Sequence, residues 1–352
     1  MGNRETTATG TSLAGRRCLV TGGAGFIGSH LVEGLLQAGA GQVRVLDNFA
    51  NGKRENLAAV ADDPRLSVLA RSVLDEEAAA VACRDVDVVF HLACLGVRHS
   101  LHAPMANHRV NAEGTLIVLE AARRANVGRF VYVSSSEVYG TARYAPMDED
   151  HPTRPTTVYG AGKLAGESYA RAYFETYGLP TVMARPFNNF GPRSHFEGDA
   201  GEVIPRFIVR ALGGRALVIF GDGTQTRDFI HVSDTVLALL AIATDERCVG
   251  KTLNIGRGEE ISVSALADVV LRVTGQAGQR PSYEAARPGD VLRLCADTGK
   301  LRSLIDFTPR VSFAKGLAEL VAWFRSHPEA VRLEQPVRNW ETAGGPPGRT
   351  AA

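Results

Sequence analysis

The sequence predicts an α/β fold built on a doubly wound parallel sheet, followed by a smaller unit. Over residues 1–186, short apolar runs typical of strands alternate with helical spacings of apolar residues. This alternation is typical of a parallel sheet with helices on both faces. Beyond Pro186 the elements are shorter and are separated by Gly and Pro pairs, which indicates a second kind of unit. The 352 residues suffice for about two units of roughly 150 residues each.

The expected elements follow one another in a simple order. The first strand is expected at 17–21, and the apolar spacing of 26–38 predicts a helix after it. Further strands are expected at 43–47, 66–69, 87–91 and 130–134, and a helix at 111–125. Residues 15–186 therefore form the main unit, which part of 228–258 is expected to complete, while 187–335 form mainly the smaller, interleaved one. The polar, Pro- and Gly-rich ends, 1–14 and 336–352, are expected to be disordered tails.

Charge and composition exclude several classes of protein. Lys plus Arg (39) against Asp plus Glu (38) leaves a formal charge of +1, so neither nucleic acid nor a membrane surface is an expected partner. The five scattered cysteines fit neither a metal site nor a disulfide framework, and no metal is expected. The N-terminus lacks the apolar core of a signal peptide, and no apolar run reaches the roughly 18 residues of a membrane span. We therefore expect a cytoplasmic protein that acts on a small molecule.

A glycine cluster, Thr21-Gly22-Gly23-Ala24-Gly25-Phe26-Ile27-Gly28, lies between the first strand and the first helix. A dinucleotide pyrophosphate needs a tight turn, close approach of the backbone and a helix N-terminus with free N–H groups, and these glycines permit all three. Asp47 ends the next strand 19 residues after Gly28, where a carboxylate can bind the adenosine ribose hydroxyls. Because this carboxylate repels a 2′-phosphate, the motif predicts a Rossmann-type unit that binds NAD rather than NADP.

A tyrosine and a lysine four residues apart, Tyr159 and Lys163, share one face of an expected helix. We expect the ammonium of Lys163, together with the positive nicotinamide of NAD, to stabilise the phenolate of Tyr159 and lower its pKa. Tyr159 would then be a base at neutral pH. Ser134-Ser135-Ser136-Glu137 follows the fifth strand, at the edge where such sheets bind ligands. A hydroxyl there can hydrogen-bond the reacting oxygen.

Taken together, the motifs resemble those of the extended short-chain dehydrogenase/reductases, the NAD-dependent nucleotide-sugar epimerase/dehydratase family. The resemblance covers residues 17–325 approximately and implies that Ser135, Tyr159 and Lys163 are catalytic, with Glu137 as a further candidate acid or base. The motifs that carry it are, in order, TGGAGFIGSH, LDNFANGKREN, HLAC, VNAEGT, SSSEVYG, YGAGK, RPFNNFGPR, GDGTQTRDFIHVSD and RPGD.

The same resemblance implies the ligand contacts and the assembly. Substrate contacts are expected from Ser136, Asn188, Arg206, Arg227 and Arg287, since paired guanidinium groups and amide donors suit the diphosphate of a nucleotide-diphosphate sugar. The segment 194–202 is long for the family and either shapes the sugar pocket or is a plain surface loop. A homodimer is expected through the helices that carry residues 111 and 159. The expected NAD contacts are Gly22, Gly25, Phe26, Ile27, Gly28, Asp47, Asn48, Ser72, Val73, Leu92, Ala93, Asn111, Tyr159 and Lys163.

The resemblance implies that Tyr159 takes the proton of the sugar 4-hydroxyl while C4 gives hydride to NAD, which forms a 4-keto sugar. An epimerase then returns the hydride to the other face, a 4,6-dehydratase removes water across C5 and C6, and a decarboxylase releases carbon dioxide from a 4-keto uronic acid. Dehydratases typically carry Asp-Glu where this chain has Ser136-Glu137, whereas simple epimerases often lack a glutamate at 137.

We expect 4-epimerisation. A UDP-glucuronate-type decarboxylation and an atypical dehydration are the alternatives within the family. A non-catalytic NAD-binding scaffold or sensor is the alternative of another class, because a fold does not fix a function, but the complete set of Ser135, Tyr159 and Lys163 argues against it.

Overall fold

Short strands occur from residue 17 to residue 284. The structure is a computed structural model that describes residues 12–333 and 336–341. In chain order the strands are β1 (Arg17–Thr21), β2 (Gln42–Leu46), β3 (Leu66–Leu69), β4 (Val88–His91), β5 (Arg129–Val133), β6 (Thr181–Pro186), β7 (Asn188–Phe190), β8 (Val218–Phe220), β9 (Thr226–His231), β10 (Thr252–Ile255), β11 (Glu260–Ser262) and β12 (Ser282–Glu284).

Seven strands form one parallel sheet in the order β3-β2-β1-β4-β5-β6-β10. The order reverses between β1 and β4, and the carboxyl ends of strands beside such a reversal are where open α/β sheets bind ligands. The first five strands agree with the expected bounds to within one residue. The seventh, β10, comes from the range 228–258. The doubly wound parallel sheet predicted from the sequence is confirmed.

Helices cover both faces of this sheet, because each buries one apolar side against it. α1 packs with α8 on one face, while α2, α5 and α6 pack with one another on the other. The helices are α1 (Phe26–Gln37), α2 (Glu76–Cys83), α3 (His99–His102), α4 (Pro104–His108), α5 (Gly114–Arg124), α6 (Val158–Tyr177), α7 (Val203–Leu212), α8 (Val232–Thr244), α9 (Val263–Val273), α10 (Gly299–Ile305), α11 (Phe313–Arg325) and α12 (Pro328–Arg332). Within residues 12–333 and 336–341, none of them is long and apolar enough to cross a membrane.

The smaller unit has its own apolar core. Its strands form a sheet in the order β11-β9-β7 and a separate pair, β12-β8. α7, α9 and α11 surround a cluster that includes Phe207, Leu266 and Phe324, each almost fully buried. A cavity is lined by residues of this unit and of the larger one.

Both expected tails reach less far into the chain than the sequence suggests. Leu13 is buried in the core beneath the main sheet. At the other end Asn339 donates to the carbonyl oxygen of Gly198 at 2.7 Å, and the ring of Trp340 packs edge-on against Phe220 with centroids 4.6 Å apart. Leu13 anchors the first segment, and Asn339 and Trp340 anchor the second, which corrects the tail boundaries at 14 and 336. Residues 1–11 and 342–352 of the expected tails lie outside the described residues.

Close packing of α6 against β5 depends on glycine. A Cβ on Gly166 would lie 2.2 Å from the hydroxyl oxygen of Tyr132, and one on Gly160 would lie 2.7 Å from the carbonyl oxygen of Glu137. The Tyr132 hydroxyl in turn donates to the carbonyl oxygen of Lys163 at 3.1 Å. The glycines of this helix therefore set its distance from the sheet.

Replacing Gly166 by alanine tests this packing. The added methyl group collides with the Tyr132 hydroxyl, so we expect the free energy of unfolding to fall by about 1–3 kcal/mol, as in other overpacked interiors. Urea denaturation measures it. Gly278→Ala is the control, because its Cβ meets nothing within 4 Å. Equal stability of the two variants would contradict the account.

Candidate active site

A cavity lies at the carboxyl ends of the central strands, and the segments that follow β1, β2, β4 and β5 line it. The smaller unit supplies the rest of the lining. Of the ligand contacts expected from the sequence, the following line the cavity: Gly22, Gly25, Phe26, Ile27, Gly28, Asp47, Asn48, Ser72, Val73, Leu92, Ala93, Ser135, Ser136, Glu137, Tyr159, Lys163, Asn188, Arg206, Arg227 and Arg287.

The glycine turn between β1 and α1 fits a dinucleotide pyrophosphate. Gly22 has φ +70°, and a Cβ on it would lie 2.8 Å from the backbone of Ala93. A Cβ on Gly28 would lie 2.1 Å from the Gly22 carbonyl oxygen. No side chain caps the start of α1, so its first N–H groups remain available to a bound phosphate.

Asp47 braces the same turn. Its carboxylate accepts hydrogen bonds from the backbone N–H of Ala24 at 2.9 Å and of Phe49 at 2.8 Å. Burial raises the pKa of Asp47, and these two hydrogen bonds oppose the rise. A carboxylate oxygen has lone pairs beyond the two used here, which suits the two hydroxyls of a ribose. The donor set therefore fits NAD, with the pyrophosphate on the glycine turn and the adenosine ribose on Asp47.

Asn111 is the exception among the expected cofactor contacts. It is 1% exposed and does not line the cavity. Its Oδ1 accepts from the N–H of Leu95 at 2.8 Å, and its Nδ2 donates to the Leu95 carbonyl at 2.9 Å and to Oδ1 of Asn107 at 3.0 Å. The expected contact of Asn111 with NAD stays a prediction. Asn111 sits in a π-helical turn, Arg109–Glu113, that precedes α5, and holds the segment after β4 in place.

Asn111→Ala distinguishes the two roles. Loss of its hydrogen bonds leaves the N–H of Leu95 and Oδ1 of the buried Asn107 without these partners, so we expect the free energy of unfolding without NAD to fall by about 1–3 kcal/mol. Asn48→Ala is the control, because Asn48 lines the cavity and is exposed. A direct cofactor contact would instead weaken NAD binding by Asn111→Ala and leave that stability unchanged.

The catalytic candidates meet where β5 ends and α6 begins. Ser135 caps the turn Ser136–Val138, because its hydroxyl oxygen accepts from the N–H of Glu137 at 3.2 Å. Thr157 caps α6 by accepting from the N–H of Gly160 at 3.2 Å, which places Tyr159 in the first turn. The hydroxyl of Ser135 lies near enough to the phenol of Tyr159 to lower its pKa.

Burial acts most strongly on Tyr159. It raises the pKa of Tyr159 well above its usual value, and the negative charges of Glu137 and Glu202 add to the rise, whereas the Ser135 hydroxyl lowers it. Lys163 donates through Nζ to the Val133 carbonyl at 2.9 Å, and its expected effect on the phenol stays a prediction. When bound, NAD would supply a positive charge that lowers the pKa of Tyr159 further.

Two arginines share one carboxylate in the smaller unit. Arg227 and Arg287 each donate through Nη2 to Oδ1 of Asp290, at 2.8 Å and 2.5 Å. Asn188 Oδ1 and Arg206 Nη1 are buried without a hydrogen-bond partner in the described part of the chain. Burial lowers the pKa of Arg206 to about 10. Guanidinium groups held together and short of partners are suited to a diphosphate.

Sequence reasoning missed several lining residues. Arg98 follows β4 at the ligand-binding edge of the sheet, and its place shortly after HLAC was a usable signal. Phe220 and Trp340 form an aromatic corner of the cavity. Nothing in the Pro- and Gly-rich sequence around Trp340 pointed to it.

This sheet, the glycine turn with Asp47, and the Tyr159 site define an NAD-binding enzyme of the doubly wound α/β class. The chain belongs to the NAD dependent epimerase/dehydratase family, whose model matches residues 18–256. The family predicted from the motifs is confirmed, and with it the cofactor NAD.

The relatives catalyse more than one reaction. The chain is 35% identical over 339 residues to dTDP-glucose 4,6-dehydratase of Streptomyces niveus, covering 94% of this chain and 98% of that protein. It is 36% identical over 312 residues to a putative UDP-glucose 4-epimerase of Methanocaldococcus jannaschii, covering 88% and 98%. UDP-N-acetyl-alpha-D-glucosaminuronate decarboxylase of Bacillus cytotoxicus is also 36% identical, covering 88% and 98%.

A solved structure shares both the fold and the cofactor. DesIV, a dTDP-glucose 4,6-dehydratase from Streptomyces venezuelae with NAD and TYD bound, superimposes with a TM-score of 0.85 at 36% identity, covering 89% of this chain and 98% of that one. Family, fold and cofactor are thus common to this chain and to epimerases, dehydratases and decarboxylases.

Proposed function

We propose that this protein is an NAD-dependent nucleotide-sugar 4-epimerase that acts through a transient 4-keto sugar. One observation carries the proposal. A single cavity is lined by the glycine turn, by Tyr159 with Ser135, and by the arginine pair Arg227 and Arg287. With NAD on the glycine turn, a ligand that contacts both Tyr159 and the arginine pair joins an oxidisable hydroxyl to a diphosphate, and a nucleotide sugar has both.

In this proposal Tyr159 removes the proton of the sugar 4-hydroxyl. The Ser135 hydroxyl, which lowers the pKa of the phenol, stabilises the phenolate and can hydrogen-bond the reacting oxygen. When bound, NAD supplies a nicotinamide that accepts a hydride from C4 and returns it to the opposite face. Arg227 and Arg287 hold the diphosphate while the keto sugar rotates, between the two hydride transfers, to present its other face.

The residue beside Ser135 favours epimerisation over ordinary dehydration. Elimination of the 6-hydroxyl needs an acid to protonate the leaving oxygen, and position 136 carries a serine, which is 3% exposed and lines the cavity. A serine hydroxyl is far too weak an acid for that role.

Glu137 supports the second candidate, a decarboxylation or an atypical dehydration. Its carboxylate lines the cavity and acts electrostatically on both Tyr159 and Arg227. A carboxylate so placed can serve as an acid or base in either reaction. Its backbone also has a structural part, because the turn it belongs to packs on Gly160.

Product masses test the proposal. The protein is incubated in deuterium oxide with UDP- and dTDP-linked hexoses and hexuronates. A 4-epimerase gives a product of unchanged mass and altered configuration, whereas loss of water means dehydration and loss of carbon dioxide means decarboxylation. No product from any sugar, with no transient NADH absorbance, would favour the scaffold alternative.

Tyr159→Phe tests the base. We expect NAD to stay bound and turnover to fall about 10²–10⁴-fold, the range typical of general acid–base catalysis. Tyr169→Phe is the control, because Tyr169 lies on the same helix but packs with the apolar core. Retention of more than about a hundredth of the activity by Tyr159→Phe would reject the assigned role.

Glu137→Gln separates the two candidate functions. In a 4-epimerase the proton chemistry runs through Tyr159, so we expect only a mild loss of turnover. In a dehydratase or decarboxylase we expect a loss of about 10²-fold or more. Steady-state rates with the preferred sugar distinguish the two functions. A severe loss of turnover in a demonstrated epimerase would overturn our assignment of Glu137.

The homodimer remains a prediction within this proposal. α5 and α6, which pack together, keep the apolar side chains Leu116, Val158 and Tyr177 exposed. These side chains would be covered if the same helices of a second copy packed against them.

A further inference from the structure

The segment 194–202, which we call the strap, connects the strand β7 region to α7 and contacts both units. Lys53, from the loop after β2, forms an ion pair with Glu197. Nε2 of His102 lies 2.7 Å from Oδ2 of Asp199, and Arg98 donates to the Asp199 carbonyl at 3.0 Å. The strap is therefore tied to the NAD-binding unit rather than projecting into solvent.

Hydrogen bonds to the backbone of the strap fix the position of the residue at its end, Glu202. Asn339 donates to the carbonyl oxygens of Gly198 and Gly201, and the backbone N–H of Glu202 donates to the His195 carbonyl at 2.8 Å. A Cβ on Gly201 would lie 2.6 Å from the Phe196 carbonyl oxygen, so the chain folds tightly back on itself there. Glu202 follows at once and begins the turn that leads into α7.

The side chain of Glu202 lines the cavity and is not assigned to any task by the proposed mechanism. Its carboxylate is partly buried, and no donor within the described ranges hydrogen-bonds it. Its negative charge acts on Tyr159 and on Arg98. It therefore lies on the same side of the cavity as the residue that handles the sugar hydroxyl.

Burial raises the pKa of Glu202 to about 7, and the positive charge of Arg98 opposes the rise. Burial lowers the pKa of Arg98 to about 10 and also lowers that of His195. The charge of Glu202 therefore changes near neutral pH. The other charged and titratable side chains that line the same cavity are Asp47, Arg71, Cys94, Arg98, Glu137, Tyr159, Lys163, His195, Asp199, Arg206, Arg210, Arg227, Arg287 and Asp290.

We propose that Glu202 is a specificity-determining residue whose carboxylate accepts hydrogen bonds from the hydroxyl groups of the substrate sugar. Together with Glu137, it selects a neutral hexose over a hexuronate. The inference rests on the proposed function only in taking the ligand to be a nucleotide sugar.

The physical reason for this role is that the Glu202 carboxylate has no hydrogen-bond donor among the described residues. A partly buried carboxylate without hydrogen bonds is held in an unfavourable state, and sugar hydroxyls supply donors where the protein has none. A hexuronate would instead bring a third carboxylate beside Glu202 and Glu137. Arg98 feels the charge of both carboxylates, but two of its N–H groups are already bonded to the carbonyl oxygens of Asp199 and Ala200.

Binding measurements test the inference without turnover. Calorimetric titrations use NAD-loaded Tyr159→Phe protein, with and without Glu202→Gln, and UDP, UDP-glucose, UDP-glucuronate and dTDP-glucose as ligands. We expect Glu202→Gln to weaken the preferred hexose nucleotide about 10- to 100-fold, the range of a hydrogen bond to a charged group. Affinity for UDP should not change, and affinity for UDP-glucuronate should rise.

Glu197→Gln in the same background is the matched control. Glu197 is a strap carboxylate as well, but it pairs with Lys53 and does not line the cavity. This variant is expected to leave the ratio of hexose to hexuronate affinity unchanged.

The pH dependence gives a second readout. Hydroxyl donors stabilise the carboxylate form of Glu202, so ligand binding lowers its pKa and releases a proton. Affinity for the hexose nucleotide should therefore rise from about pH 6 to about pH 8, around the value of about 7 in the free protein. With Glu202→Gln this slope should disappear.

The outcomes separate the two proposals. If Glu202→Gln leaves the hexose affinity and the pH slope unchanged, or if UDP-glucuronate binds more tightly than UDP-glucose to protein with Glu202 intact, the inference is overturned. If no nucleotide sugar binds more tightly than UDP, it is overturned as well. The expected binding pattern combined with a dehydrated product would uphold Glu202 and reject only the 4-epimerase.

Discussion

The contact between α6 and the end of β5 is the constraint on which the site depends. Gly166 and Gly160 let the helix approach until the Tyr132 hydroxyl reaches the backbone of Lys163 and the turn after Ser135 rests on the helix. This one packing arrangement brings together the phenol from the helix and the serine from the sheet. A larger side chain at either glycine would separate two groups that must share a single reacting oxygen, because catalytic geometry tolerates displacements of only a fraction of an ångström.

Electrostatics in the cavity follow from burial more than from net charge. The chain carries a formal charge of only +1, yet six guanidinium groups line the same cavity, and burial lowers the pKa of Arg98, Arg206 and Arg227. Cations removed from water attract an anionic ligand more strongly than the same charges on an open surface. A small number of placed groups can therefore hold a diphosphate on an almost neutral protein. The same burial keeps Tyr159 protonated in the absence of a positive charge beside it, which couples proton removal to the presence of the cofactor.

Much of this was predictable from the sequence, because the signals were local. Strand bounds followed from apolar runs, and the glycine turn and the Tyr159 to Lys163 spacing each lie within one short segment. What could not be predicted depends on contacts between distant segments. Asn111, for example, is hydrogen-bonded to Leu95, which lies 16 residues earlier in the chain on the segment after β4. Burial raises the pKa of Tyr159, and Trp340 packs against Phe220, only once the cavity is assembled. Neither effect leaves a pattern in the sequence.

The fate of the C4 hydrogen tests the central claim most directly. The protein is given the preferred nucleotide hexose with deuterium at C4, and the position of the label in the product is read by mass spectrometry and NMR. A 4-epimerase returns the same hydride that it removed, so we predict that the label stays at C4 while the configuration there inverts. Appearance of the label at C6 with loss of water, or a product that retains the label with unchanged configuration, would contradict the account.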